Sequence, residues 1–209
     1  MQAQVKFSLA TDFSLLHNFD GKQKFTVPGQ TIIPQLHFDK KSSLYAWFTY
    51  HANGKYNSKL SAVAKSTQTT PQSISFTNQS EMRLRHLSIG YKKYFKGSFD
   101  NEKSFNLYGT FGFGLIMGNA SNNFSPAIDT ATYLIQDNVV NGSGDFKRLS
   151  FDIAAGIDYA VSYDIYIYSE IRWHIPTTDY PSDYLLKSSK APLLGGINIG
   201  LRILFNADP

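Results

Sequence analysis

"LYGTFGFGLIM", Leu107 to Met117, is the stretch whose reading decides the fold. At a period of two, one face carries Leu107, Phe111, Phe113, Leu115 and Met117, and the other Tyr108, Thr110, Gly112, Gly114 and Ile116. A strand sends successive side chains to opposite faces, so this is a strand with large apolar groups on one side. The other side holds glycines and hydroxyls, where a water-exposed sheet would carry a charged surface.

The pattern recurs. Alternation predicts strands over 5–15, 31–38, 44–51, 84–95, 107–117, 147–161, 163–174 and 193–205. In 147–161, for example, Leu149, Phe151, Ile153, Ala155, Ile157 and Tyr159 oppose Arg148, Ser150, Asp152, Ala154, Gly156 and Asp158. Segment 44–51 is the least decisive, with Leu44, Ala46, Phe48 and Tyr50 set against Tyr45, Trp47, Thr49 and His51. Crossing a bilayer takes about 9–11 residues of tilted strand, a length that nearly all of these segments reach.

The connections alternate as strictly as the residues do. Those after the second, fourth and sixth strands are short: "DKKSS", "KGSFDNEKS" and "SYD". Those spanning 16–30, 52–82, 118–146 and 175–191 are long and polar, and such loops are uncommon in compact domains. Extensions of the flanking strands can run into 52–82, whereas 118–146 shows no periodicity. One end of the structure is therefore trimmed and the other elaborated. Eight strands, apolar outward and polar inward, with one trimmed end, describe an antiparallel up-and-down transmembrane β-barrel. Closing the ring removes the sheet edges that lipid could not solvate. The whole chain, 1–209, reads as one such domain, with short periplasmic turns and long extracellular loops.

Composition agrees. Aromatic residues make up 15% of the 209 positions and charged residues 17%, with 15 glycines and no cysteine. That balance suits an all-β chain and rules out disulfides and thiolate metal sites. No apolar run is long enough for a transmembrane helix. A formal charge of +4, spread along the chain, lacks the concentrated basic face of a nucleic-acid binder. The start, "MQAQVKF", has no apolar signal region, and Gln2-Ala3-Gln4 fits what remains after a secretory signal is removed.

The aromatics give an independent check. Outward residues nearest the trimmed end include Phe38, Phe95, Phe105, Tyr159, Tyr163 and Phe205, the girdle expected at a membrane–water interface. The opposite end has a thinner belt of Phe13, Tyr50 and Trp173.

Inward faces carry Lys6, Asp12, Arg148, Asp152, Asp158, Glu170, Arg172 and Arg202. Charges of both signs in so narrow an interior should pair, because an unpaired ion there costs several kcal/mol. A turn centred on Ser162 and Tyr163 would place Asp152 across from Arg172, with Glu170 one step along. The network reads as a structural plug, with a charged ligand or proton path as the functional alternative. His37, His86 and His174 also point inward, on the second, fourth and seventh strands. Without a register they define no metal site, and the expectation is hydrogen-bonded imidazoles with no metal or cofactor. "GTFGFG" lies within a strand and precedes no helix, so it is no phosphate loop.

In strand pattern and loop asymmetry, nearly the whole chain resembles the small eight-stranded outer-membrane proteins of Gram-negative bacteria. These are the OmpA-transmembrane-domain and OmpX type, and the chain is also similar to the outer-membrane β-barrel proteins of Bacteroidetes. "GGINIGLRILF" resembles the terminal signal read by the barrel-assembly machinery, with Phe205 its aromatic end, although the chain continues into Asn206–Pro209. Asp129-Thr130-Ala131 resembles a Bacteroidetes O-glycosylation acceptor. The His-x-Ser pair of the lipid A deacylases is broken in "RWHIPTTD", where Ile175 and Pro176 follow an inward His174.

The resemblance implies an integral outer-membrane location among lipid and lipopolysaccharide. The expected function is that of a non-enzymatic surface protein, the barrel its anchor and the loops its means of adhesion or partner binding. The alternatives are a small pore or ligand carrier, and an accessory subunit of an outer-membrane secretion or assembly complex.

Overall fold

A computed structural model describes residues 6–102, 104–178, 182–186 and 193–205. The start at Gln2–Gln4 and the tail Asn206–Pro209 lie outside the described residues. The strands are β1 Lys6–Asn18, β2 Phe25–Asp39, β3 Ser42–Ala64, β4 Ser73–Lys96, β5 Asn106–Ser125, β6 Tyr133–Ile135, β7 Gly142–Ala160, β8 Ile165–Pro176 and β9 Leu194–Phe205. All pairings are antiparallel, and eight of the strands form a ring. β1 pairs with β2 and, closing the circle, with β9 from Phe7↔Phe205 to Asn18↔Leu194. The ring continues through β2–β3, β3–β4, β4–β5, β5–β7, β7–β8 and β8–β9.

The ninth strand, β6, stands outside the ring. β2 pairs with β3 only as far as His51, so the upper edge of β3 has lost its neighbour, and β6 takes that place at Ala62–Ala64. A bare sheet edge invites unwanted pairing, and β6 covers the top three residues of this one.

The predicted faces hold along the trimmed half. Phe113 and Ile199 are 73% and 60% exposed, whereas Asp152 and Arg202 between them are 0% and 1%. Extensions of the strands into 52–82 are present as the sequence allows, and strand also enters 118–146, where the sequence shows no periodicity. β3 and β4 run 23 and 24 residues and β5 runs 20, where β8 and β9 have 12 each. The segment 52–82 is mostly strand, and 118–146 begins and ends as strand around β6. At about 3.3 Å per residue, β4 exceeds β8 by about 40 Å of strand, or about 30 Å of height at barrel tilt. One wall of the ring, β3 to β7, stands far above the other.

The tall wall obeys the opposite polarity rule. In the lower half Phe48, Leu87, Phe111 and Ile157 face out, and Trp47, His86, Thr110 and Asp158 face in. Beyond the flip, Lys55, Lys59, Gln79, Asn119 and Asp145 face out. Leu60, Phe76, Met82, Ala120, Phe124 and Phe146 face in, where they form the largest apolar core. Below, the solvent for the outer face is lipid; above, it is water.

A bulge accompanies the flip. β3 passes from His51↔Leu84 to Gly54↔Met82, so Ala52 and Asn53 together oppose Arg83. The extra residue moves the inward set from odd numbers to even ones, as a β-bulge does. Asn53 Oδ1 accepts a bond from Arg83 Nε at 2.8 Å across it.

Connections fold onto the tall wall. Asn122, 3% exposed, accepts at Oδ1 from Asn78 Nδ2 at 3.0 Å and Ser80 Oγ at 2.8 Å. Its Nδ2 donates to the carbonyls of Val140 at 3.2 Å and Tyr184 at 3.0 Å. One amide thus ties two connections to β4 and β5. Asp129 closes the turn before β6, accepting from Thr132 Oγ1 at 2.6 Å and from the Ala131 N–H at 2.9 Å. Those bonds hold its carboxyl below the usual range.

The two polarity regimes predict opposite tolerances. Ile153→Arg, on the lower outer face, should destabilise the barrel in lipid vesicles by about 2–4 kcal/mol. Ser75→Arg, on the outer face of the tall wall, should change stability by no more than about 0.5 kcal/mol. Urea titrations of both variants check this, and equal costs would remove the boundary between the halves.

Candidate functional site

Among the described residues, the lumen is where the fold concentrates chemistry-bearing side chains, and it is built in three tiers. Each tier follows from strand parity, which turns every second residue inward, and from the register of the neighbouring strands.

The lowest tier centres on Asp158 of β7. Its carboxylate receives Asn106 Nδ2 at 2.5 Å, Tyr94 Oη at 3.2 Å and Arg202 Nη2 at 3.4 Å, with Lys92 Nζ at 3.8 Å. Both cations also lie on aromatic faces, Lys92 3.5 Å from the Tyr108 ring centre and Arg202 3.9 Å from that of Tyr166. Below them the segment after β4 folds Phe99 into the mouth. Its ring stacks on His37 at 4.2 Å, and its carbonyl accepts from Arg202 at 2.9 Å.

The middle tier is built on Arg172 of β8. Glu170 Oε1 lies 2.7 Å from Nη2 and 2.8 Å from Nε, and Asp12 Oδ2 lies 3.4 Å from Nη2. Tyr168 Oη donates to the same Asp12 oxygen at 2.9 Å. The guanidinium stacks over Trp47 at 4.2 Å. Tyr168, Glu170 and Arg172 are alternate residues of one strand, so β8 supplies most of this tier by itself.

The upper tier joins Asp152 of β7 to two imidazoles. His174 Nδ1 is 2.9 Å from Oδ1 and His86 Nε2 is 3.2 Å from Oδ2. The two rings meet edge to face at 4.2 Å, and His86 Nε2 also lies 3.0 Å from Ser150 Oγ.

This corrects the expected register. Asp152 stands opposite His174, and Arg172 stands opposite Ala154. The reversal takes Val161 to Asp164 and is closed by the Val161 N–H on the Ile165 carbonyl at 2.8 Å. A turn longer than the assumed one moves every pair by one inward step. Arg172 therefore reaches Glu170 on its own strand and Asp12 on β1, two strands away beyond β9.

Two further sequence-selected charges are Lys6 and Arg148. Lys6 is placed across from His37. Arg148, 1% exposed, donates to the Lys147 carbonyl at 2.8 Å. Of the three inward histidines, the structure brings together His86 and His174. His37 instead lies against Ser8 Oγ at 2.8 Å and Ser43 Oγ at 2.5 Å. Sequence reasoning left Lys92, Tyr94, Trp47 and Asn106 out of the network. Parity already turned Lys92 and Trp47 inward, but only a register shows what they touch. The girdle residues Phe38, Phe95, Phe105, Tyr159, Tyr163 and Phe205 are all exposed at the trimmed end.

Chemically the tiers are a packed core. The cavity bordered by Trp47, Tyr108, Glu170 and Arg202 measures about 10 Å³, the lower limit for a single water. Ser150, His86 and Asp152 do not make a nucleophilic relay. Serine and carboxylate approach the same nitrogen, Nε2, whereas a relay uses both ring nitrogens.

Solved structures match this ring of eight strands and its short turns. Neisserial surface protein A aligns over 96% of this chain and 97% of its own, at a TM-score of 0.52 and 10% identity. The N-terminal barrel of OprF from Pseudomonas aeruginosa aligns over 96% and 100%, at 0.51 and 10%. The chain has the fold of the small outer-membrane β-barrels. OprG of Pseudomonas aeruginosa is a third such outer-membrane barrel, with 97% and 96% covered at a TM-score of 0.51 and 11% identity. No protein-family model matches the chain, and no curated protein sequence does.

The middle tier yields a sharp expectation. Arg172→Ala strands two buried carboxylates and should destabilise the barrel by about 3–5 kcal/mol. In double-mutant cycles Arg172 should couple to Glu170 and Asp12 by more than about 0.5 kcal/mol, and not to Asp152. Unfolding in vesicles measures all three couplings, and a dominant Asp152 term would restore the alternative register.

Proposed function

We propose that this chain is a non-enzymatic surface protein of a bacterial outer membrane, with the lower barrel as anchor and the tall wall as contact surface. The observation that carries this reading is the polarity flip. A chain selected only to cross the membrane has no use for about 30 Å of further wall with its own apolar core. Here β3, β4, β5 and β7 continue as a water-facing sheet that displays Lys55, Lys59, Gln79 and Asn123 on a rigid support.

The filled lumen supports an anchor over a pore, since three tiers of bonded side chains block the path an ion would take. The absence of a relay around Ser150 supports a non-enzymatic role. Lipopolysaccharide is the proposed lipid neighbour. Arg85, Met117 and Lys147 form one outward row directly above the apolar row of Leu87, Leu115 and Leu149. That sets two cations where lipid phosphates would lie. On this reading the tall wall is extracellular and both chain ends are periplasmic.

Two experiments test it. The chain has no cysteine, so a membrane-impermeant maleimide should label Thr69→Cys on intact cells and reach Lys40→Cys only after the outer membrane is opened. The reverse result inverts the orientation. Replacing 57–79 by a short turn should leave an inserted barrel that no longer supports attachment of cells to host or matrix surfaces. Unchanged attachment, or steady single-channel current through the wild type in planar bilayers, would sink the anchor reading.

A further inference from the structure

Among the described residues, Asp152 is the one lumenal carboxylate without a permanent cation as its ion-pair partner. Asp158 has Arg202 and Lys92, and Asp12 and Glu170 share Arg172. Asp152 is 0% exposed, and its ion-pair partners among the described residues are the imidazoles of His86 and His174. A buried carboxylate without compensation costs several kcal/mol, so this tier needs a positive charge that its own side chains do not permanently supply.

We propose that His86, Asp152 and His174 bind a divalent transition-metal ion of the zinc class inside the lumen. One donor atom from each residue lies within 4.8 Å of the others, and all three residues are buried. Bonds of about 2.0–2.2 Å to nitrogen and oxygen set donors in a tetrahedral site about 3.4 Å apart. His174 Nδ1 lies 2.9 Å from Asp152 Oδ1 and His86 Nε2 lies 3.2 Å from Oδ2, so each imidazole is near that spacing from one oxygen of the carboxylate.

Two further observations point the same way. Asp152 Oδ2 accepts no hydrogen bond although His86 Nε2 is 3.2 Å from it. His86 Nε2 is instead bonded to Ser150 Oγ at 3.0 Å, which leaves this carboxylate oxygen open to another partner. On the opposite side stands Gly114. A Cβ there would overlap Asp152 Oδ2, His86 Nε2 and Ser150 Oγ, so the absent side chain leaves the donors their space.

Two neutral imidazoles and one carboxylate suit zinc, or iron, nickel or copper at similar sites, better than magnesium or calcium, which prefer all-oxygen shells. The ion would leave a net single positive charge in the tier, and Ser150 Oγ stands near enough to serve as a fourth ligand. It would also act as a clip. His86 comes from β4, Asp152 from β7 and His174 from β8, so one ion would tie together strands that span half the ring.

The competing occupant is a proton, with one imidazole charged and no metal. The test refolds the full chain in detergent with Co²⁺ or Zn²⁺ present, then dialyses against a weak chelator. Metal content, the visible d–d absorption of Co²⁺ and the thermal midpoint are read in turn. The expected result is one ion per chain, tetrahedral Co²⁺ bands and a midpoint that rises with Zn²⁺. His174→Gln and His86→Gln should each weaken the apparent affinity by more than about tenfold. His37→Gln, a lumenal histidine outside the cluster, should retain the ion, and far-UV circular dichroism establishes that each variant has folded. No retained ion in the wild type, or retention unchanged in both cluster variants, would overturn the site. A midpoint that rises on acidification through the imidazole range and ignores metal would assign the charge to a proton instead.

Discussion

The structure depends on one constraint: every backbone N–H and C=O that faces lipid must be bonded within the protein. The pairing of β1 with β9 meets it, because that pairing turns an eight-stranded sheet with two bare edges into a ring. Eight strands then fix a narrow interior, just wide enough to be filled by side chains. The outer face must be apolar, so the alternation of a strand turns the remaining residues inward, and these are polar and charged. The tiers around Asp158, Arg172 and Asp152 are the result. Closure dictates that there will be buried charges, and the pairing of those charges makes closure tolerable.

The same alternation serves a second purpose above the membrane by reversing its sign. In β3, β4 and β5 the apolar set moves from the outer face to the inner one, and the strands continue past the bulge at Ala52 and Asn53. The sheet does not distinguish the two regimes; only the surrounding solvent does. The apolar core at Phe76, Met82, Phe124 and Phe146 is the ordinary core of a water-soluble sheet, stacked on a barrel that has the opposite arrangement.

The lower half could be read from the chain because its alternation is strong and keeps one sign. Leu107 to Met117 needed no partner to be recognised as an outward-apolar strand. The upper half escaped for two physical reasons. The sign change removes the expected outward Leu or Phe, so Lys55, Asn57 and Lys59 look like loop. The bulge at Ala52 and Asn53 then shifts the parity of β3, so even a reader expecting inversion would count on the wrong face. The lumen was legible as an inventory and not as a set of contacts. Parity assigns Asp152, Glu170 and Arg172 to the inside, but which of them meet depends on the length of one turn, and Val161 to Asp164 is longer than the shortest that would fit. Partners on strands that meet only through closure, such as Asp12 for Arg172, lie 160 positions apart and leave no local trace.

The unequal wall heights also bear on mechanics. β3 and β4 run unbroken from the tip beside 65–72 down through the apolar belt. A pull on that tip loads both strands along their own axes. Against β5 the hydrogen bonds are then stressed in shear, many at once, rather than being peeled open in sequence from one end. The tip is thus coupled to the embedded ring as a stiff strut, and a tensile load applied at the surface is carried into the part of the molecule held by the bilayer.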